Sequence, residues 1–137
     1  MGRILAIDYG TKRTGLAVSD PLRIIAGALE TVDTKSLERY VADYCAANDV
    51  DTIVLGKPSQ MNGAPSETMR FIEPLAARLR ASFPDKEVVL YDERFTSVIA
   101  QRTIRESGIG RMARRDKSLV DKVAATVILQ SYMDSRK

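Results

Sequence analysis

The sequence contains no histidine, no tryptophan and a single cysteine, Cys45. The missing histidine excludes a Ser-His-Asp triad, and with only one cysteine present a Cys/His zinc site is excluded as well. One cysteine permits no intramolecular disulfide, which fits a protein of the reducing cytoplasm. Acid-base or metal chemistry must therefore come mainly from carboxylates, lysines, tyrosines or hydroxyl groups.

Long apolar runs and aromatic residues are also scarce. No apolar run approaches the ~20 residues of a membrane span, and the first residues lack the basic-then-apolar pattern of a signal peptide. We therefore expect a cytoplasmic protein with no membrane partner. The aromatic content of 6% argues against a base-stacking platform for single strands. A length of 137 residues predicts one domain, residues 1–137.

Hydrophobic spacing predicts an α/β fold with the element order βββαβαβαα, a mixed sheet with helices on its faces. We expect a first strand that ends at Asp8, a hairpin loop at residues 10–15 and a second strand at residues 16–18. A turn at Asp20 precedes a third strand at residues 24–32. Two later strands are expected at residues 52–55 and 87–91.

The helices are predicted from apolar stripes at helical spacing. Thr34 or Ser36 can cap the first helix, whose stripe includes Cys45, so we expect this thiol in the core. Pro74 interrupts the next helical pattern and predicts a kink or a restarted helix. The last helix is expected at residues 118–134, with these residues facing inward: Val120, Val123, Ala124, Val127, Ile128 and Ser131.

Three carboxylates lie at element boundaries or on apolar faces. Asp8 ends the first strand, Glu93 follows the fifth, and Asp121 lies in the first turn of the last helix on one face with Ala125 and Ile128. Converging carboxylates repel one another unless cations neutralise them, and Mg²⁺ or Mn²⁺ prefer such oxygen ligands. Two such ions can stabilise the attacking and leaving oxygens of phosphodiester cleavage. The three acids are therefore candidate metal ligands.

Each acid also has a simpler interpretation. Asp8 could accept hydrogen bonds from turn amides, and Asp121 could only close the start of its helix. Glu93 could pair with Arg94 or Arg102 at the surface. Alternation does not decide whether Asp92 or Glu93 faces the site. The residue pattern alone leaves these alternatives open.

Basic residues concentrate just before the last helix. Residues 102–117 hold six basic and two acidic residues, although the net charge of the whole chain is only +3. A basic segment beside a carboxylate site indicates an anionic partner, and nucleic acid is the commonest such polymer. We expect Arg111, Arg114, Arg115 and Lys117 to contact backbone phosphates, although a solvated loop would have the same composition.

Four segments, AIDYGTKRTGLAV, IVLGKPSQMNG, YDERFTS and VDKVAATVILQSY, resemble in this order the YqgF (RuvX) family, and the resemblance covers nearly the whole chain. It implies an RNase H-like fold, a five-stranded mixed sheet of order 3-2-1-4-5 with strand 2 antiparallel and helices on both faces. It also implies a metal-dependent nuclease, a hydrolase of ester bonds, that processes the 5′ end of pre-16S rRNA in ribosome biogenesis.

By this resemblance Asp8, Glu93 and Asp121 are the catalytic and metal-binding acids, with one or two Mg²⁺ or Mn²⁺ ions. Many RNase H-like nucleases have a further acid after the fourth strand, where this chain has Lys57, so a second metal is expected to bind weakly or only with substrate. Partners are expected to be structured RNA or branched DNA, bound by a monomer or homodimer. Further substrate-binding candidates are Thr11, Lys12, Gly15 and Arg94.

Three other functions stay open at this stage. One is a DNA nuclease that resembles Holliday junction resolvases, and another is a non-catalytic RNA-binding assembly factor. The third is a nucleotide-binding lobe of the sugar-kinase or actin type, because Asp-x-Gly-Thr after a first strand also occurs there. Those proteins need two related lobes, and one chain of 137 residues supplies only one.

Overall fold

The structure is a computed structural model that describes residues 2–57, 69–92 and 117–136, with side chains from residue 70 in the second range and from residue 124 in the third. The five strands are β1 (Arg3–Asp8), β2 (Arg13–Ser19), β3 (Ala26–Asp33), β4 (Val50–Lys57) and β5 (Glu87–Asp92). The helices in these ranges are α1 (Leu37–Ala47), α2 (Met69–Ser82) and α3 (Lys117–Ser135), with a 3-10 turn at Thr34–Ser36 before α1.

The strands form one sheet in the order β3-β2-β1-β4-β5. β2 runs antiparallel to β1 and β3, while β1, β4 and β5 are parallel. Parallel neighbours need a crossover connection, which α1 supplies before β4 and α2 supplies before β5. The predicted sheet order and the antiparallel second strand are both confirmed.

β1 is covered on both faces, which explains its unbroken apolar run. Leu5 and Ile7 are fully buried on the face that packs against α1 and α2. Ile4 and Ala6 alternate to the opposite face and pack in the cluster that includes α3. Each side chain of this strand can therefore be assigned to a face by its position alone.

The buried face of α3 differs in part from the predicted one. Ile128 and Ser131 are buried as expected, but Ala124 and Val127 are only half-buried. Val120 and Val123 precede the first described side chain of this helix. The apolar residues that α3 buries against the sheet are Ala125, Ile128, Leu129, Tyr132 and Met133.

The bounds of the second, third and fourth strands were predicted wrongly, and β4 is longer at both ends than the predicted residues 52–55. β3 begins at Ala26, because the Asp20 carboxylate accepts hydrogen bonds from the amides of Ile24 and Ile25 and holds them in a turn. β2 begins at Arg13, because Gly15 pairs with Asp8 of β1, and Arg13 and Thr14 pair with the end of β3. Only the first part of residues 10–15 is therefore a loop.

The helical predictions also need correction. Ser36 occupies the N-cap position of α1, but neither it nor Thr34 makes a side-chain capping bond there. Pro74 lies inside α2, which continues as one helix instead of restarting. Cys45 packs half-buried against the core as predicted, and burial raises the pKa of its thiol. The helix predicted between β5 and residue 108 lies outside the described residues. None of the described helices is long and apolar enough to cross a membrane.

Candidate active site

Asp8 is the last residue of β1, where the chain leaves the covered part of the sheet. It follows Ile4 and Ala6 on the α3 face by the period-two alternation of the strand, and it is half-buried. β1, β4 and β5 are parallel, so their C-terminal ends lie along one edge. Open α/β sheets bind their ligands outside this edge. Asp8 therefore lies at the edge of the sheet where ligands bind in this class of fold.

Glycines flank Asp8 on both neighbouring strands. Asp8 pairs directly with Gly15 of β2. Ile7 pairs with Leu55 of β4, so Gly56 comes next on the other side. Neither neighbour projects a side chain beside the carboxylate, and glycine within a strand often marks a close approach of a ligand. The strand positions next to Asp8 are thus occupied by residues without side chains.

The end of β5 is anchored to α3 through Tyr91. Its hydroxyl lies 2.7 Å from Ser131 Oγ, and its ring meets that of Tyr132 edge-on with centroids 5.9 Å apart. Tyr91 therefore faces α3, as Asp8 does. By alternation Asp92 points with Leu90 to the opposite face, which disfavours Asp92 as a partner of Asp8. Glu93, the next residue, lies outside the described part of the chain.

Asp121 lies near the N-terminal end of α3. Near the other end of this helix, Tyr132 is close enough to Arg23 and Asp51 for their charges to act on its hydroxyl, although burial is the main reason why its pKa is raised. Asp121 precedes Tyr132 by eleven residues, or about 16 Å along the helix axis. Asp121 also lies one helical turn before the fully buried Ala125.

Of the three predicted acidic ligands, only Asp8 is among the described side chains. Among the side chains that the structure describes, no group of three acidic, histidine or cysteine residues could hold a metal ion. Glu93 falls outside the described residues, and Asp121 is described only by its backbone. Asp8 itself supplies the hard carboxylate oxygen that Mg²⁺ and Mn²⁺ prefer, at a half-buried position with glycines on both sides.

The loop after Asp8 is held by a ring of three hydrogen bonds. Thr34 Oγ1 donates to the Gly10 carbonyl oxygen at 2.5 Å, and it lies 2.9 Å from Thr14 Oγ1. A hydroxyl has only one proton, so Thr14 must be the donor to Thr34. Thr14 Oγ1 in turn accepts from the Gly10 amide at 3.5 Å. The ring fixes Gly10 against the beginning of the segment that connects β3 to α1.

The same loop requires glycine at position 10. A Cβ atom there would overlap the carbonyl oxygen of Arg13, so no other residue fits without moving the backbone. The Thr34 amide also donates to the Lys12 carbonyl oxygen at 3.0 Å. The loop backbone is thus fixed at both ends, while the side chains of Thr11 and Lys12 are exposed to solvent beside Asp8.

The remaining substrate-binding candidates are divided by the structure. Thr11 and Lys12 lie on the loop as expected, but Gly15 belongs to β2 and adjoins Asp8 instead of lying in the loop. Lys117 is the first residue of α3, and its side chain is not among those described. Four candidates lie outside the described residues: Arg94, Arg111, Arg114 and Arg115.

Sequence reasoning overlooked three contributors to this edge. Thr14 and Thr34 form the hydroxyl ring, and Gly56 faces Asp8 from β4. Thr34 could have been noticed as a hydroxyl next to a strand end, but its partner lies 24 residues away in the chain. Gly56 has a clearer signal, because a glycine directly follows the apolar run Ile53–Leu55 near the end of a strand.

Sheet order, the parallel core and an aspartate at the end of β1 define an RNase H-like α/β protein. The fold is shared with a solved structure, RuvC of T. thermophilus in complex with a Holliday junction substrate, at a TM-score of 0.60. That match covers 98% of this chain and 96% of the other at 18% sequence identity, so it shows the fold alone.

Sequence comparison gives the family. A family model described as RuvX, Holliday junction resolvase, matches residues 2–135, and the chain belongs to this family. A protein of Porphyromonas gingivalis is 57% identical over 98% of both chains. A protein of Bacteroides thetaiotaomicron is 49% identical over 100% of this chain and 99% of its own length. Both relatives carry the name "Putative pre-16S rRNA nuclease".

Proposed function

We propose that this chain is a metal-dependent nuclease that hydrolyses phosphodiester bonds at the 5′ end of pre-16S rRNA in the cytoplasm. The observation that carries the proposal is the placement of Asp8 at the C-terminal edge of the parallel strands, between two glycines. The names of its relatives supply the substrate class, because chains that match over nearly their full length are named as nucleases of pre-16S rRNA.

Asp8, Glu93 and Asp121 are the residues that would hold one or two Mg²⁺ or Mn²⁺ ions. Bound there, such ions would supply a nucleophilic water and neutralise charge on the phosphate that is cleaved. Tyr91 faces α3, so a β5 that continued by one residue would return Glu93 to the face of Asp8. This alternation favours Glu93 over Asp92 as the third acid.

The chain's own cations would hold the substrate. Lys12 is exposed on a loop whose backbone is fixed at Gly10 and at its own carbonyl. Its ammonium group can therefore contact a backbone phosphate near Asp8, and the loop backbone needs little further ordering when the phosphate binds. The Thr11 hydroxyl would donate a hydrogen bond to the same phosphate. The basic residues Arg94, Arg111, Arg114, Arg115 and Lys117 are proposed to contact phosphates farther along the strand.

Branched DNA is a second candidate substrate. It is favoured by the description of the matching family as Holliday junction resolvases. Both substrates present the same phosphodiester to the carboxylates, so the acids alone do not separate them. Cleavage of a 5′-extended 16S rRNA fragment and of a four-way DNA junction, at equal concentration and salt, would decide between them.

Substitution of Asp8 by asparagine tests the nuclease proposal. Asp8→Asn keeps the side-chain volume but removes the negative charge that attracts a cation, so we expect cleavage in Mg²⁺ or Mn²⁺ to fall by at least about 1,000-fold. Circular dichroism and thermal unfolding should show a folded protein. Asp20→Asn is the matched control, because at the other end of the sheet the Asp20 carboxylate accepts hydrogen bonds from backbone amides.

Two results would contradict the proposal. Cleavage by Asp8→Asn at the rate of the unchanged protein would remove Asp8 from the reaction. RNA binding that needs no divalent ion, with no cleavage of RNA or DNA under any metal, would instead indicate a non-catalytic assembly factor.

A further inference from the structure

A cavity of about 330 Å³ opens at the Asp8 end of the molecule, but on the opposite face of the sheet. Tyr9 directly follows Asp8 and packs against the core on the α1 and α2 side. The volume is within the ~300–1,000 Å³ range of ligand pockets. The residues that line the cavity are Tyr9, Thr11, Thr34, Lys35, Leu37, Glu38, Leu75 and Arg78.

One wall of the cavity is apolar and rigid. Leu37 and Leu75 are each only 1% exposed and belong to the core, so neither can move far. The Tyr9 ring lies against Phe71 in a stacked arrangement, with centroids 6.4 Å apart and planes inclined by 25°. This wall offers a flat aromatic surface supported from behind.

The other wall is charged. Glu38 Oε1 accepts a hydrogen bond from Arg78 Nε at 3.0 Å, and both side chains are about half exposed. This contact uses one carboxylate oxygen, and Oε2 has no hydrogen bond to the residues whose side chains are described. Lys35 has no ion-pair partner among the residues whose side chains are described. The cavity therefore combines one oriented carboxylate with an excess of one positive charge.

The chemistry of these walls matches a nucleotide. Unpaired bases are bound in proteins by stacking on aromatic rings and by hydrogen bonds to their edges. A carboxylate accepts from the amino group of a base, and a lysine binds a phosphate as a point charge. The apolar wall and the acceptor thus suit a base that carries an amino group. The surplus cation suits the single negative charge of its phosphodiester.

We propose that this cavity binds one unpaired nucleotide of the substrate strand, with its base at Tyr9 and Glu38 and its phosphate at Lys35. The inference rests on the proposed nuclease function for the source of the nucleotide. Tyr9 and Asp8 have Cα atoms about 3.8 Å apart, so a strand cleaved at Asp8 would need only to pass the exposed Thr11 to reach the cavity. Thr34 belongs both to the cavity wall and to the hydroxyl ring.

The proposal predicts a preference among bases. Cytosine, adenine and guanine carry an exocyclic amino group that Glu38 Oε2 can accept from, whereas uracil does not. NMR titration of the ¹⁵N-labelled protein in EDTA measures this without any cleavage. Cytidine monophosphate should shift the amides of Thr11, Thr34 and Lys35 and bind about tenfold more tightly than uridine monophosphate.

The variant Glu38→Gln should abolish that preference, because a neutral amide accepts more weakly and loses its pairing with Arg78. Its fold should persist, since an exposed ion pair contributes little to stability. The matched control is Glu73→Gln, which removes an exposed carboxylate from α2 that does not line the cavity. Equal effects of the two variants, or equal binding of the two nucleotides, would overturn the proposal.

Two further measurements separate the possible outcomes. A short RNA with cytosine at the bound position should bind more tightly than cytidine monophosphate, whereas equal affinity would indicate a site for free nucleotides and contradict the proposal. Asp8→Asn should retain nucleotide binding in the cavity. A protein that binds cytidine monophosphate there but cleaves nothing would therefore contradict the nuclease function and not the cavity assignment.

Discussion

The two ends of the sheet both carry aspartates, but their surroundings differ. At the N-terminal end of β1 and β4, Asp51 Oδ2 accepts from the Gly2 amide at 3.0 Å, and Oδ1 pairs with Arg23. Thr52 Oγ1 donates to the same carboxylate at 3.1 Å. Burial alone would raise the pKa of Asp51, but these donors together outweigh it and lower the pKa. This acid holds chain segments together.

Asp20 lies at the same end, and its carboxylate is also bound by groups of the protein itself. Its carboxylate accepts from the amides of Ile25 at 2.8 Å, Ile24 at 2.6 Å and Leu22 at 3.3 Å. The Ile25 amide is the main reason why the pKa of Asp20 lies below its usual value, and the other amides add to it. These bonds also stabilise the turn around Arg23, whose φ of 60° is unusual for a residue with a side chain.

The C-terminal end is built differently. There Asp8 lies between Gly15 and Gly56, and the adjacent loop presents Thr11 and Lys12 to solvent from a fixed backbone. One end thus uses carboxylates to hold chain segments together, and the other places glycines and exposed donors next to a carboxylate. The comparison shows that neighbours, more than residue type, separate a structural acid from a candidate catalytic one.

Substitution of Asp8 should lower the cleavage rate most, and a side chain added next to Asp8 should have the second largest effect. We expect Gly15→Ala to lower the cleavage rate by about 10- to 100-fold, because a methyl group on the α3 face would displace a cation or phosphate at Asp8. Steady-state cleavage of a 5′-extended 16S rRNA fragment measures the loss.

Gly27→Ala provides the control from the other end of the sheet. It is also a strand glycine, and its added Cβ would meet only the Val18 carbonyl oxygen at 3.8 Å, an ordinary contact. Its cleavage rate should equal that of the unchanged protein. If Gly15→Ala were equally harmless while folded, the glycines would not serve to keep space at Asp8.

Removal of the hydroxyl ring should have a smaller effect. Thr34→Val keeps the side-chain shape but loses the bonds to Gly10 and Thr14, so the Thr11 and Lys12 loop loses one of its supports. We expect a stability loss of about 1 kcal/mol and an affinity for RNA about fivefold weaker. Fluorescence anisotropy with a labelled RNA and urea unfolding measure the two quantities.

Thr52→Val is the matched threonine at the opposite end, where it loses only the bond to Asp51. It should cost similar stability but leave RNA affinity unchanged. A common effect of both variants on affinity would mean that the ring acts only through global stability and does not position the loop.

The sheet and Asp8 could be predicted from sequence because both follow from local pattern. The alternation of Ile4, Ala6 and Asp8 assigns the acid to one face before any tertiary contact is known. Resemblance to a family then supplied the strand order. Turn chemistry was less informative, because Gly15 looked like a loop residue although it pairs in β2 opposite Asp8.

Features that join distant residues could not be predicted. The ring between Gly10, Thr14 and Thr34 depends on β3 ending beside the loop after β1, which no local pattern encodes. The same holds for the cavity, whose walls come from three separate stretches that include Tyr9, Glu38 and Arg78. Such arrangements become visible only when the sheet order is known.

The smallest expected effect on cleavage belongs to Asp51→Asn, which should change stability alone. The folded-state pKa of Asp51 lies below its usual value, so its ionised form favours the folded protein above the unfolded pKa of 3.8. At neutral pH the variant should be less stable by about 1 kcal/mol, since the carboxylate is partly exposed. As the pH falls through the folded-state pKa, the unchanged protein loses this advantage.

Urea unfolding of both proteins at a series of pH values from 7 to 3 should therefore give two stability curves that lie apart above pH 4 and converge below it. Cleavage by Asp51→Asn at neutral pH should match that of the unchanged protein, because none of its partners lies near Asp8. A gap that stayed constant down to pH 3, or a cleavage defect like that of Asp8→Asn, would break the distinction between the two ends. Convergence with full activity would locate the acid-sensitive contact at the N-terminal end of the sheet, away from the site of cleavage.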